Sequence, residues 1–600
     1  MTFFFSEFIF NEIFIFFQGF ATLYASHTMS LVYPEYRDID LFVLNNLQHA
    51  MRVDATGVSR PMTYYVENHR GISNLFDDIA YSKAASVLRM IQHSLTEETW
   101  KKGLKLYLDD MKYEAADSDD LARNLQEAAS ADDRLPQNLT MKELIDSWSL
   151  KGGYPVITVE RSNESTSTLI ISQAKYVNTK KEKTEANWII PINFATASYP
   201  YFNDTSPVAW MKDQTVFIKN DSFHVFNETD WIVFNIQETG YYRVNYDNSL
   251  WNLISNKLAS DTFEEIHVIN RAQIVDDVLN LARGEYVNYE ICFRILEYLE
   301  HETDFLPWSS ANNGLGYINR LMTGSENYAN FQRFISKIVS PLYQSLGSHD
   351  RGRKDTLSEK RARTIAINWA CTSGEESCIN DTNKRVMEVL KTPSMEIEAN
   401  VRSAIYCNGL RQTNQDEFEL VWNRFTNTSD QMTRQTLING MGCIQDAEIQ
   451  RQNLNFTLES EEFYTKSEKT RLLKAIYNNG GRNGVESVID FFSENFDEID
   501  ELYGEQTVRR NMYWMADKVI AKELYEKFEK LIDDLIVAQV LAENEKEILM
   551  EGPKINQEWL KQNDEEIGKY FKSYFANDAM NLGSVSVMFL AIGVIFNLLI

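Results

Sequence analysis

From about Asn248 to Tyr574 the apolar side chains keep returning at steps of three and four, the period of a helix face. More than three hundred residues in one helical period are too many for a compact bundle, so they predict helix pairs stacked into an α-superhelix. Val268, Ala272, Val275, Leu279 and Ala282 open the stretch, and Gly284 stops that helix. Asn288 then starts a second helix carrying Ile291, Ile295 and Tyr298. The glycines of GGRNG, residues 480–484, read as a turn between two helices, because no strand precedes them and no Lys-Ser/Thr follows.

Upstream the period changes twice. Residues 152–247 hold short runs rich in β-branched and aromatic residues, YPVITV, STLIIS, WIIPINF, TVFIK, WIVFN and YYRVNY, which predict a small antiparallel β-sandwich. Lys180, Lys181 and Lys183 sit between two of these runs and read as a solvated loop. Residues 18–151 read as helical. Tyr81, Ala84, Leu88, Ile91 and Leu95 make one continuous helical face, and Thr96–Leu108 starts like a capped helix. Gly152, Gly153 and Pro155 end the region. The expected fold is therefore multidomain α+β, mostly α.

The formal charge of −28 disfavours binding to nucleic acid. Five cysteines leave two readings: disulfides Cys371–Cys378 and Cys407–Cys443 with Cys292 a buried thiol, which fit an extracellular protein, or five unpaired core cysteines. Trp369 beside Cys371 reads as core packing. Sequons at Asn138, Asn163, Asn203, Asn220, Asn227, Asn380, Asn427 and Asn455 permit glycosylation. Residues 585–600 are uncharged, and Ala576, Asn577, Asp578 and Ala579 precede them after a short spacer. That order predicts a glycosylphosphatidylinositol (GPI) attachment signal over 576–600, with Asn577 or Asp578 the attachment residue; a tail anchor or a buried terminal helix is the alternative. The expected location is the extracellular face of the plasma membrane. Residues 1–17, with Glu7 and Glu12 among their phenylalanines, make a poor secretory signal and read as unrelated to the rest of the chain, as though the true N-terminus were missing.

The strings FQGFATLYASHTMSLVYPEYRDIDLF, LFDDIAYSKAASVLRM, DSWSLKGGYPVITVER, WIVFNIQETGYYRVNYD and INRAQIVDDVLNLARGEY, in this order, resemble the M1 (gluzincin) zinc aminopeptidases of the membrane-bound type. The resemblance implies the helical end of a thermolysin-like catalytic domain over 18–151. A β-sandwich over 152–247 and a helical, HEAT-like C-terminal domain over 248–575 would come after it. It also implies the two cysteine pairings, peptide substrates, zinc as the family cofactor, and it allows a homodimer.

The family holds zinc with the two histidines of HExxH and a glutamate on the next helix. No HExxH occurs: the histidines are 27, 49, 69, 93, 224, 267, 301 and 349, and no two are four apart. His301-Glu302 lacks the second histidine, since Phe305 stands there, and reads as a solvated helix end. Gln18 stands at the position of the family's ligating glutamate, and the segment that reads a substrate's amino terminus is absent. Tyr81 matches the tyrosine whose hydroxyl stabilises the oxyanion of the tetrahedral intermediate, beside Ala84 where the family usually has glycine. Arg60-Pro61 stands where His-Pro is common. No zinc is therefore expected in this chain. The resemblance makes it an inactive portion of a peptide hydrolase or, alternatively, a non-catalytic GPI-anchored binding protein.

Overall fold

The computed structural model describes residues 7–64, 66, 69–165, 167–179, 187–220, 226–392, 394–459 and 463–598. Lys180, Lys181 and Lys183 lie outside them, as do the side chains of Asn577 and Asp578. The chain divides into two compact units, Met1–Tyr298 with Asp304–Gly314, and Leu299–Thr303 with Leu315–Ile600.

In the first unit the helix Glu7–Val32 packs on the segment Ile79–Lys83 and on the helix Ala84–Leu95. A Cβ on Gly19 would stand 2.8 Å from the Ala84 Cβ, so two small residues set this close approach. The face expected to run unbroken from Tyr81 is interrupted. Ile79–Lys83 is a π-turn, and regular α-helix begins only at Ala84. Thr96 does not cap its helix, because its backbone lies at φ 70° and its hydroxyl donates to Thr99 Oγ1 instead. Thr140 does cap Met141–Ser149, in a reciprocal box with Glu143.

Eight strands come next: β1 (Pro155–Arg161), β2 (Thr168–Lys175), β3 (Ile190–Ile192), β4 (Phe194–Thr196), β5 (Ala209–Met211), β6 (Thr215–Lys219), β7 (Ile232–Phe234) and β8 (Arg243–Tyr246). They form a four-stranded sheet in the order β6-β2-β1-β8 and two ladders, β3-β5 and β4-β7. The expectation of a wholly antiparallel sandwich is corrected in one place: β8 pairs parallel to β1, with Val156 opposite Arg243. A parallel partner needs a long crossover, and the whole of β2–β7 supplies it. The core between sheet and helices is aromatic. Tyr154 stacks on Tyr176 at 5.3 Å and meets Tyr241 edge-on at 5.4 Å, while Trp148 lies 6.3 Å from Tyr241.

The first unit runs past Asp247 because the helix Val268–Arg283 packs on β8. This helix is buried on almost every face, polar residues included. The 3.6-residue period had marked only its apolar stripe.

The second unit is helical. Leu357–Thr372, Arg402–Gly409, Gln431–Met441 and Lys466–Asn479 pack one on the next in a single layer. The intervening helices Glu376–Lys391, Gln415–Thr426, Ala447–Asn455 and Gly481–Glu494 form the other, the arrangement of stacked helix pairs. Gly480 and Gly481 make the expected turn, and Gly481 at φ +69° needs glycine there. Cysteines 371 and 378 are bonded across one hairpin; Cys407, on Arg402–Gly409, is bonded to Cys443 in the turn just after Gln431–Met441. Cys292 is a free, buried thiol in the first unit, and burial pushes its pKa up. Trp369 is buried as expected. A last helix, Glu543–Leu598, packs on Tyr328–Leu346, Glu505–Ala516 and Lys522–Val537. Among the described residues no helix is long and apolar enough to cross a membrane.

Candidate active-site remnant around Tyr81

Tyr81 sits at the centre of the π-turn, and such turns recur at functional sites because they displace one side chain from the helical ladder. Both ends of the turn are fixed by charge. At its start, the Asp77 carboxylate accepts the backbone N–H groups of Ile79 and Ala80 at 3.0 and 3.1 Å. Arg60 grips the same carboxylate, with Nη2 2.6 Å and Nε 3.1 Å from its oxygens, and also donates to the carbonyls of Pro61 and Leu75. The arginine that stands in place of the family's histidine thus has a structural task. Beside them His49 Nε2 lies 3.2 Å from Asp78 Oδ1.

At its end, Lys83 Nζ lies 2.8 Å from Asp54 Oδ2, and both side chains are wholly buried. Lys83 also donates to the carbonyls of Gly153 (2.9 Å) and Lys151 (3.4 Å), which matches its three protons to three acceptors. Asp54 accepts further from Ser59 Oγ, Gly153 N–H and Tyr241 O–H. Burial pulls the Lys83 ammonium below its usual pKa, against the attraction of Asp54.

Tyr81 itself is half-buried, and among the described residues its hydroxyl has no hydrogen-bond partner. A phenol so placed can donate to an oxyanion without first breaking a bond of its own. Gln18 is half-buried on the helix that packs against this turn, and its backbone carbonyl accepts from Thr22 Oγ1. The fold therefore brings the elements bearing Gln18 and Tyr81 together.

The helix that follows Tyr81 holds a strained turn. Asn235, Gln237 and Glu238 all have positive φ, at 63°, 52° and 46°. For residues with a Cβ, such backbone costs on the order of 1 kcal/mol each. The Arg89 guanidinium donates to the carbonyls of Glu238 (2.7 Å) and Gln237 (3.1 Å), and Asn270 Oδ1 accepts the Gln237 N–H at 2.8 Å. The Glu238 carboxyl is buried, with Oε2 accepting from Gln48 and Oε1 without a partner among the described residues. Burial, then neighbouring Asp277 and Asp276, push its pKa well above the ordinary range. Arg243 bridges those aspartates at 2.7 and 2.9 Å, yet burial still raises Asp277 to about 7.

The remaining expected positions scatter. Asn138, Asn163, Asn203, Asn227, Asn380, Asn427 and Asn455 are exposed, whereas Asn220 is half-buried with its amide donating to the Phe226 carbonyl. His301 is exposed, but Glu302 is 2% exposed, which corrects the reading of both as solvated. Among the described residues no three His, Cys, Asp or Glu side chains gather as a metal site. Gln18 offers only a neutral amide oxygen, so the donor set does not fit the zinc centre that the resemblance implies.

Residues 231–544 match the family described as ERAP1-like C-terminal domain, and residues 10–148 match the peptidase family M1 domain. The chain belongs to the family of the ERAP1-like C-terminal domain, which matches just over half of it. The M1 match begins inside the stretch 1–17 that had read as unrelated. Aminopeptidase N of Plutella xylostella is 32% identical over 484 residues, covering 80% of this chain and 50% of that relative. Aminopeptidase N of Canis lupus familiaris is 31% identical over 500 residues, covering 81% and 50%. Human thyrotropin-releasing hormone-degrading ectoenzyme is 28% identical over 502 residues, covering 81% and 46%. The chain spans about half the length of these curated relatives.

The sequence strings led to Tyr81 and also contain Lys83, Arg89, Glu238, Arg243, Asp276 and Asp277, but they did not single these out, and Asp54 lies outside every string. Charges inside otherwise apolar runs were the signal that could have done so.

Proposed function

We propose that this chain is the oxyanion-side and C-terminal portion of an aminopeptidase that releases N-terminal residues from peptides, and that these 600 residues alone do not hydrolyse them. The unpartnered Tyr81 hydroxyl, on a turn clamped at both ends, is the observation that carries the reading. Its task is to donate a hydrogen bond to the negative oxygen that develops on the scissile carbonyl. The terminal apolar run serves as a lipid-attachment signal, with Asn577 or Asp578 the attachment residue. The protein then stands on the outer face of the plasma membrane, glycosylated at exposed sequons.

The test is zinc content and hydrolysis of aminoacyl reporter substrates by the 600-residue chain. The expected result is no stoichiometric zinc and no turnover, and chelator-sensitive turnover would overturn it. In a longer form carrying the HExxH helix, Tyr81→Phe lowers kcat by roughly 10²–10³-fold with little change in KM. An unchanged kcat there removes the assigned role.

A further inference from the structure

In the second unit, Leu357–Thr372, Arg402–Gly409, Gln431–Met441 and Lys466–Asn479 together line a cavity of about 810 Å³. Its size falls within the range of ligand sites. Three cations face it, Arg411, Arg471 and Lys474, and among the described residues no acidic side chain lines it. This is unusual in a chain with 87 acidic and 59 basic residues. Several other cations of the unit find carboxylates, as Arg363 does with Asp355, Arg434 with Glu468 and Lys527 with Asp490.

Arg411 instead donates to Asn408 Oδ1 and lies against the Cys407 sulfur. Lys474 lies 3.3 Å above the Trp514 ring centre, and burial with the nearby charges of Arg510 and Arg471 lowers its pKa. Like charges held together without a counter-charge in a concave site await an anion.

The rest of the lining selects which anion. Asn368, Ser403, Thr470 and their neighbours are carboxamides and hydroxyls, each both donor and acceptor, the complement of sugar hydroxyls. The walls are helices, whose backbone groups are already paired, so a peptide main chain finds no strand edge to extend. We propose that this cavity binds an acidic saccharide, its carboxylate or sulfate held by Arg471 and Lys474 and its hydroxyls by the amide and hydroxyl side chains. The inference does not depend on the role given to Tyr81.

Calorimetric titration of the 600-residue chain with sialyllactose, a sulfated heparin tetrasaccharide and neutral lactose tests it. The acidic sugars should bind saturably, at least tenfold more tightly than lactose, and more weakly as salt rises. In the double variant Arg471→Gln/Lys474→Gln, where Arg471 is exposed and Lys474 half-buried, that binding should fall at least tenfold at an unchanged unfolding temperature. Lys474→Arg, which keeps the charge, should retain binding and so separates loss of charge from loss of fold. Acidic sugars binding no better than lactose, or equally well to the double variant, would overturn the proposal. So would preferential binding of a hexapeptide with a free carboxyl terminus over both acidic sugars and over its amidated twin.

Discussion

Each unit buries charge, but with opposite stoichiometry. In the first, Arg243 serves two aspartates with the Glu238 carboxyl close by, and burial outweighs the single guanidinium: Asp277 rises to about 7 and Glu238 rises well above its usual range. In the second, one carboxylate serves two arginines. Asp355 accepts from Arg363 Nη1 at 2.8 Å and from Arg351 Nε at 2.6 Å, and these bonds with the Arg351 backbone N–H bring it down to about 2. A buried acid is thus not stabilising or destabilising as such; the number of donors per carboxylate sets the sign.

Removing one partner of a buried pair breaks the comparison most severely. Lys83→Met strands the Asp54 carboxylate in the first unit, and Asp355→Leu strands Arg363 in the second. Each is expected to cost about 3–5 kcal/mol in denaturant unfolding. A cost below about 1 kcal/mol would mean that water reaches the site.

The pH response sharpens the same contrast. A carboxyl whose folded pKa lies above its unfolded value binds protons preferentially in the folded state. The stability it gives is therefore complete below the unfolded pKa and is lost as pH rises through the folded one. For Asp277 that window runs from the ordinary 3.8 to about 7, and for Glu238 it starts at 4.5 and extends well upward. Glu238→Gln should flatten the slope and stabilise the first unit at about pH 8, while changing little at about pH 4. Asp355 has the reverse sign: its contribution is present above 3.8 and is lost as pH falls through about 2. Hydrogen exchange resolved by segment across pH separates the units, and parallel slopes in both would contradict the account.

Tyr81→Phe gives the smallest effect on stability. A hydroxyl without a partner contributes no folding bond, so the change is expected to stay within about 0.5 kcal/mol. A loss above about 1 kcal/mol in thermal unfolding would show that the hydroxyl is bonded in the folded state.

The helical period and the strand runs were legible because burial repeats along the chain. Gly284 and Asn288 end and begin helices where expected, and all six strand runs contain strands. The parallel pairing of β8 was not legible, since alternation marks a strand's faces and leaves its direction open. β5, Ala209–Met211, lay outside the six runs. Tyr81 was found through its string, but the π-turn beneath it was not, for one extra residue in a turn barely disturbs the period. Lys83 and Asp54 belong to no spacing rule, and only folding places them side by side.

Lys83 and Arg89 leave the chain two and eight positions beyond Tyr81, and both end on carbonyls of the strand region. The tyrosine therefore rides on a short rod bolted down at two points rather than on a swinging arm. The backbone that carries the ring has little translational freedom left to surrender, so a group meeting the hydroxyl does not first have to order the turn beneath it.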